Sequence, residues 1–290
     1  MAHHLAALIS GFILLALAGA PAASQDAAVQ KSDSAPANEE ALDPQTLYPP
    51  LPPQSAALAL QCSVPQSEVA KPAPLTNTAT RIEANKKMRV LAIGSSATWT
   101  GNRSGSYPSR LEKLLENVWK GVDVEVVNRG VSGEIASVSA RRLINEAAIL
   151  KPTLVLWQLG TNDAVARVPL VEFETTVRAT VRMLQKNKID VVLVGLQYTS
   201  KFARDGHWFA IRNALDRIAA EENLLYVRRD KAMEFLAQTR AAADVAADDE
   251  FSLTDLGFPC MAEHIAQAMV ANIFLRRSGD RRGAQPAPIR

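Results

Sequence analysis

The chain has 290 residues, is 48% hydrophobic and carries a formal net charge of +2 at pH 7. That length and apolar content suffice for a sizeable core and favour one domain of about 200 residues with tails over two equal domains. Its 32 basic and 30 acidic residues are interspersed, with no dense basic stripe of the kind that neutralises phosphates, so nucleic acid is not expected as a partner.

Residues 1–24 read as a secretory signal: the apolar run LAALISGFILLALAGA at 5–20 is followed by small residues, with cleavage expected near Ser24 and Gln25. The run falls short of the ~20 residues that span a bilayer. Its leading segment has His3 and His4 where Lys or Arg is usual, and a retained membrane anchor is the alternative. Export implies a periplasmic or secreted protein. Residues 25–60, rich in Ala, Pro, Ser, Gln and acidic residues without hydrophobic period, read as a disordered linker. Residues 277–290 read as a disordered tail, leaving 61–276 as the folded unit, without internal repeats.

Within that unit, MRVLAIG (88–94), VDVEVVN (122–128), TLVLWQLG (153–160), DVVLVGLQ (190–197) and the weaker NLLYV (223–227) are short runs rich in Val, Leu and Ile. Apolar on successive residues rather than alternate ones, they predict strands of a parallel sheet covered on both faces. Helical spacing recurs between them, in Leu111, Leu114, Leu115 and Val118, in Leu143, Ile144, Ala147 and Ala148, and in Leu170, Phe173, Val177, Val181 and Leu184. It recurs again in Ile211, Ala214, Leu215, Ile218 and Ala219, and finally in Ala262, Ile265, Ala266, Met269, Val270 and Ile273. Strand alternating with helix, under right-handed crossovers, gives an α/β fold with a doubly wound parallel five-stranded sheet.

Four small, polar or glycine-rich segments directly follow strands: GSSAT (94–98), NRGVSGE (128–134), GTND (160–163) and QYTS (197–200). Parallel strands bring all four to one sheet edge, where ligands of such sheets sit. Acyl transfer needs an exposed hydroxyl, a base and donors aimed at the oxyanion. Ser96 is the candidate nucleophile, Gly133 leaves its backbone N–H unobstructed, and Asn162 offers an amide donor. Asp163 reads equally as a helix N-cap.

Taken in order, these segments resemble the SGNH (GDSL-like) hydrolase superfamily. The resemblance spans residues 62–273 and implies a flavodoxin-like strand order, with Ser96 as nucleophile and Gly133, Asn162 and the N–H of Ser96 as the oxyanion hole. Ser95 takes the position of the usual Asp, as in a bacterial branch that reads GSSST there. That branch closes with a segment like D-x-x-H-M-N-D-L-G-Y-x-C-L-A-E. Laid over it, DEFSLTDLGFPCMAE puts Asp249 on the aspartate, Cys260 on the cysteine and Ser252 on the histidine. A second placement, with Asp255 as the acid, puts Phe258 there. Neither supplies the base, whose removal from a serine hydrolase costs on the order of a million-fold in turnover and leaves ~10³ to 10⁴ over water.

His207 is a candidate for a replacement base or a substrate contact, whereas His264 reads as a solvated or partly packed histidine of the last helix. Tyr198 and Trp99 are candidate substrate-binding residues, and Trp99 and Trp208, expected in loops, are placed to stack on a sugar ring. No Cys/His cluster has metal-ligand spacing, so no metal and no cofactor are expected. SATWTGN echoes a flavin-phosphate loop, but the polar stretch 101–106 delays the following helix to Pro108, and no flavin is expected. The expected ligand is a small-molecule or glycan ester; the alternative is a catalytically degenerate protein that binds a glycan or acyl ligand. Cys62 and Cys260 are an even pair in an exported chain, and the resembling branch tends to carry cysteines at both places, which implies a disulfide.

Overall fold

The computed structural model describes residues 61–99, 106–242 and 257–280; Asp249 and Ser252, the signal and linker segments and the end of the tail lie outside them. A short helix α1 (Gln66–Val69) and a two-residue strand β1 (Ala70–Lys71) lead into α2 (Thr76–Asn85) and β2 (Lys87–Ile93). There follow α3 (Ser96–Trp99), α4 (Tyr107–Val118), β3 (Asp123–Asn128), α5 (Ala136–Leu150), β4 (Leu154–Gln158), α6 (Thr161–Val165), α7 (Leu170–Lys186) and β5 (Asp190–Val194). A 3-10 turn (Phe202–Arg204), α8 (Gly206–Glu221), β6 (Leu225–Val227), α9 (Arg229–Ala242) and α10 (Gly257–Asp280) complete the described elements.

The sheet order is β1-β6-β5-β4-β2-β3. Every pair is parallel except β1 with β6, where Ala70 faces Val227 and Lys71 faces Tyr226. The five parallel strands are those expected from sequence, in the flavodoxin-like order. The sixth, antiparallel strand is the correction, and it closes the β6 edge that would otherwise stand unpaired.

Successive strand residues enter different cores, as side chains alternate between sheet faces. Val90, Ala92, Leu154, Leu156, Val192 and Val194 pack on one side against α2, α4 and α10. Leu91, Ile93, Val155, Trp157, Val191 and Leu193 pack on the other against α5, α7 and α8. Each predicted helical stripe lies in one of these cores, apart from Ile144 and Ala148, which are exposed. Asp190, at the start of β5, accepts from Thr78 N at 2.7 Å and Asn77 Nδ2 at 2.9 Å, fastening the first turn of α2 to the sheet.

Two boundaries differ from the sequence expectation. Helix α10 runs to Asp280, four residues beyond the expected end of the folded unit. A single helical turn, α3, directly follows the first parallel strand, before the 101–106 stretch. No helix among the described residues is long and apolar enough to cross a membrane.

Candidate active site

Strand β2 turns into α3 through Gly94, Ser95 and Ser96. A side chain at Gly94 would bring its Cβ within 2.6 Å of Thr98 Oγ1 and 2.8 Å of the Gln158 carbonyl, so only glycine lets the turn sit this close to β4. Gln158 Oε1 accepts from Ser95 N at 3.1 Å, and the Thr98 hydroxyl pairs with Tyr107 Oη at 3.1 Å. Burial pushes the Tyr107 hydroxyl up to about 12, so it stays protonated and available as a donor. Ser95 is buried, whereas Ser96 is exposed at the first position of α3.

The glycine-rich loop after β3 is fixed at both ends. Arg129 N donates to Ala92 O at 2.8 Å and Val131 N to Gly94 O at 2.8 Å, tying the loop to the strand that carries the serines. Asn128 accepts from Gly130 N at 2.9 Å and donates through Nδ2 to Thr98 O at 2.8 Å. Gly133 has φ +82°, a left-handed conformation that glycine adopts freely, and a Cβ there would meet nothing within 4 Å.

After β4, Gly160 (φ +100°) turns the chain into α6. Asn162 Nδ2 donates to Ser95 Oγ at 2.6 Å and to the Glu134 carbonyl at 2.8 Å. One amide therefore joins the serine turn, the glycine loop and the β4 loop. These lie at the carboxyl ends of β2, β3 and β4, beside the point where the strand order reverses.

Asp163, 1% exposed, accepts from Ala136 N at 2.8 Å and Gly160 N at 3.2 Å. It sits at the third position of α6 in a capping box rather than at the cap, and it also caps the start of α5. Burial raises its carboxyl above the usual range, against the lowering by the two backbone N–H groups. Its part is to hold the glycine and asparagine loops to each other.

Ser96, Gly133 and Asn162 thus stand at one sheet edge, in the segments that follow three adjoining strands. The Asn162 amide is spent on Ser95, not Ser96, in this arrangement. Other expected residues fall elsewhere. His207 Nε2–H donates to Val168 O at 3.0 Å, in the connection from α6 to α7. Tyr198, half-buried, packs beside the disulfide cluster of Cys62, Met233, Leu236 and Cys260. Trp208 is not in a loop: Asp205 Oδ1 accepts from His207 N and Trp208 N and starts α8 there, leaving Trp208 1% exposed in the core. His264 is buried rather than solvated, with Nε2–H donating to Cys62 O at 2.7 Å, and desolvation lowers its pKa. Cys62 and Cys260 form a disulfide.

Some contributors escape a reading of the sequence. Glu134, beside Gly133, is held by two hydrogen bonds from Arg142. Gln158 and Tyr107 brace the serine turn. The polar residue Gln158 closing an otherwise apolar strand run is the one signal of them in the sequence.

Comparison with known proteins identifies the family and the fold. A profile of the Non-GDSL lipase-like family matches residues 61–274. An arylesterase from Vibrio mimicus is 27% identical over 123 residues, an alignment that spans 42% of this chain and 60% of that protein. Among solved structures, a G-D-S-L-family lipolytic protein from Desulfitobacterium hafniense DCB-2 superposes with a TM-score of 0.50 at 25% identity, covering 62% of this chain and 99% of that one. An acetylxylan esterase from Geobacillus stearothermophilus shares the fold, with a TM-score of 0.53 at 21% identity over 63% of this chain and 94% of its own. The profile covers nearly the whole described unit, and the chain belongs to the Non-GDSL lipase-like family, an SGNH/GDSL-like hydrolase by its relatives and fold.

Proposed function

We propose that the protein is an exported hydrolase of carboxylic esters, acting on small esters or acylated glycans. Ser96 is the nucleophile, and Gly133 N–H, Asn162 Nδ2 and Ser96 N–H receive the oxyanion. The observation that carries this reading is the Asn162 amide, which links the loops of all three residues at the sheet edge. The arylesterase relative supports the ester-hydrolase chemistry. In the acylation step the Ser96 oxygen attacks the ester carbonyl as its proton passes to water, and the carbonyl electrons move to the oxygen held by the donors. Their return breaks the C–O bond and releases the alcohol, which takes up the proton; a water then hydrolyses the acyl-serine to the acid and restores Ser96. Both Asn162 amide hydrogens are engaged, so the oxyanion takes the place of Ser95 Oγ on that donor. Asp249 is the acid of the former triad, and Ser252, standing at the histidine position, leaves acylation without its strong base. Turnover is then slow relative to a complete triad.

Hydrolysis of p-nitrophenyl acetate and butyrate by the purified domain and by Ser96→Ala tests this directly. Loss of the wild-type rate in the variant supports it, and two rates equal to buffer sink it for simple esters. The second reading, a fold that binds a glycan or acyl ligand without turnover, is favoured by Ser252. Ser252→His separates the two: a large gain in esterase rate marks an intact site lacking its base, and no gain favours the binding protein.

A further inference from the structure

We propose that Arg142 is a positioning residue for the oxyanion hole, an assignment that rests on the ester-hydrolase reading of Gly133 and Asn162. Arg142 projects from α5 back onto the loop that leads into that helix. Its Nε donates to Glu134 Oε1 at 2.6 Å and its Nη2 to Glu134 Oε2 at 2.7 Å, the paired fork that a guanidinium makes with a carboxylate. The same Nη2 donates to the backbone carbonyl of Arg129 at 2.7 Å. One side chain therefore grips the loop where it leaves β3 and again where it enters α5, with Gly133 between the two grips.

The grip has consequences at the reacting atoms because Glu134 is doubly used. Its carboxylate faces Arg142, while its carbonyl accepts one hydrogen of the Asn162 amide at 2.8 Å. Rotation of the Gly133–Glu134 segment would move two oxyanion donors together: the Gly133 N–H directly, and the Asn162 amide through its acceptor. Gly133, at φ +82° with open space around it, has no side chain to resist that rotation. The Glu134 side chain is only 6% exposed while Arg142 is 30% exposed, so the carboxylate depends on the guanidinium for its charge partner. Nothing in the folding of α5 requires this: its first turn is already held by Asp163 at Ala136 N.

The test compares Arg142→Gln, Arg142→Lys and, as a control, Arg182→Gln, which removes a similar forked pair with Glu222 away from the sheet edge. Arg142→Gln is expected to lower kcat on p-nitrophenyl acetate about 10- to 100-fold, the scale of a donor displaced by an ångström, with KM within about threefold. Arg142→Lys keeps the charge but not the fork and is expected to fall between the two. Arg182→Gln should leave kcat unchanged. A second readout is independent of turnover: the side-chain amide ¹⁵N–¹H signals of Asn162 should shift in Arg142→Gln and stay in Arg182→Gln. A lowered melting temperature with kcat of the folded enzyme and the Asn162 signals unchanged would reduce Arg142 to a purely structural role and overturn the proposal. If the wild type hydrolyses no ester, the ester-hydrolase reading falls, and the Asn162 signals alone decide whether Arg142 positions that amide.

Discussion

The amide of Asn162 lies 2.6 Å from the hydroxyl of Ser95, the residue before the proposed nucleophile, while Ser96 stands exposed beside it. In the proposed mechanism the two adjacent serines divide the work: the buried one holds the Asn162 donor in the resting site, and the exposed one is the group assigned to attack substrate. Ser95→Ala is expected to keep ester hydrolysis within a factor of about ten, since it removes an acceptor that the oxyanion replaces. Ser96→Ala is expected to abolish it. Labelling with a fluorophosphonate followed by peptide mass mapping distinguishes the two serines by another route, with the adduct expected on Ser96. An adduct on Ser95 would reverse the assignment.

Gly160 and Gly133 make a matched pair for a stability test. Both have positive φ, but a Cβ on Gly160 would come within 2.7 Å of Leu196 Cδ1, and a Cβ on Gly133 would meet nothing within 4 Å. Gly133→Ala is expected to cost about 1–2 kcal/mol from backbone strain alone. Gly160→Ala adds the clash with a fully buried leucine and should cost about 3 kcal/mol or more. Urea denaturation of the two variants measures the difference; equal costs would contradict the packing seen around Leu196.

Burial pushes the Asp230 carboxyl up to about 6 from its ordinary 3.8, against the lowering by Arg212. Its Oδ1 has no hydrogen-bond partner, and Arg212 lies 3.5 Å from Oδ2. The folded state therefore holds this proton more tightly than the unfolded chain. Asp230 does not penalise folding below about pH 3.8, and stability is lost as pH rises through about 6, by up to about 3 kcal/mol. Asp230→Asn is expected to raise the melting temperature at pH 8 relative to wild type, with the gap narrowing as pH falls through 6. A constant difference between pH 4 and pH 8 would refute the account.

Reduction of the Cys62–Cys260 bridge, which joins residues 198 apart, should destabilise the domain by about 3–5 kcal/mol in the chain-entropy description. Melting curves with and without a phosphine reductant report it. The loss is expected to begin at residues 61–65, where His264 also reaches Cys62 O, so amide exchange there should accelerate before that of β2 and β4. Uniform acceleration would contradict a local clip.

The parallel strands are legible in the sequence because burial on both faces forces unbroken apolar runs, here rich in Val, Leu and Ile and mostly closed by Gly, Asn or Gln. The β1 strand leaves no trace there: two residues, Ala70 and Lys71, pair at an edge by backbone alone. Helix α2 is equally hidden, because Ala79 and Ile82 are its only buried apolar residues and its first turn is anchored by a distant carboxylate, Asp190. Trp208 misleads for a local reason: Asp205 and Gly206, residue types common in turns, here start a helix. At the site, glycine and asparagine announce themselves by type and by following strands. Arg142 does not, because its partner is eight residues away across a loop-to-helix boundary, and only the position of that boundary turns the guanidinium toward Glu134.

The bridge between Cys62 and Cys260 also changes what the polypeptide is as an object. Residues 62 to 260, which include every parallel strand among the described residues, form a closed covalent ring, with residues 1–61 and 261–290 attached to it as branches. A single peptide-bond cut inside the ring opens it without releasing a fragment. A nicked molecule keeps its mass on a non-reducing gel and splits only when thiol is added. New chain ends placed in a surface connection such as the one between α7 and β5 would still leave both halves of the sheet tethered, so the domain has a built-in tolerance to being re-cut that an unbridged sheet of the same order lacks.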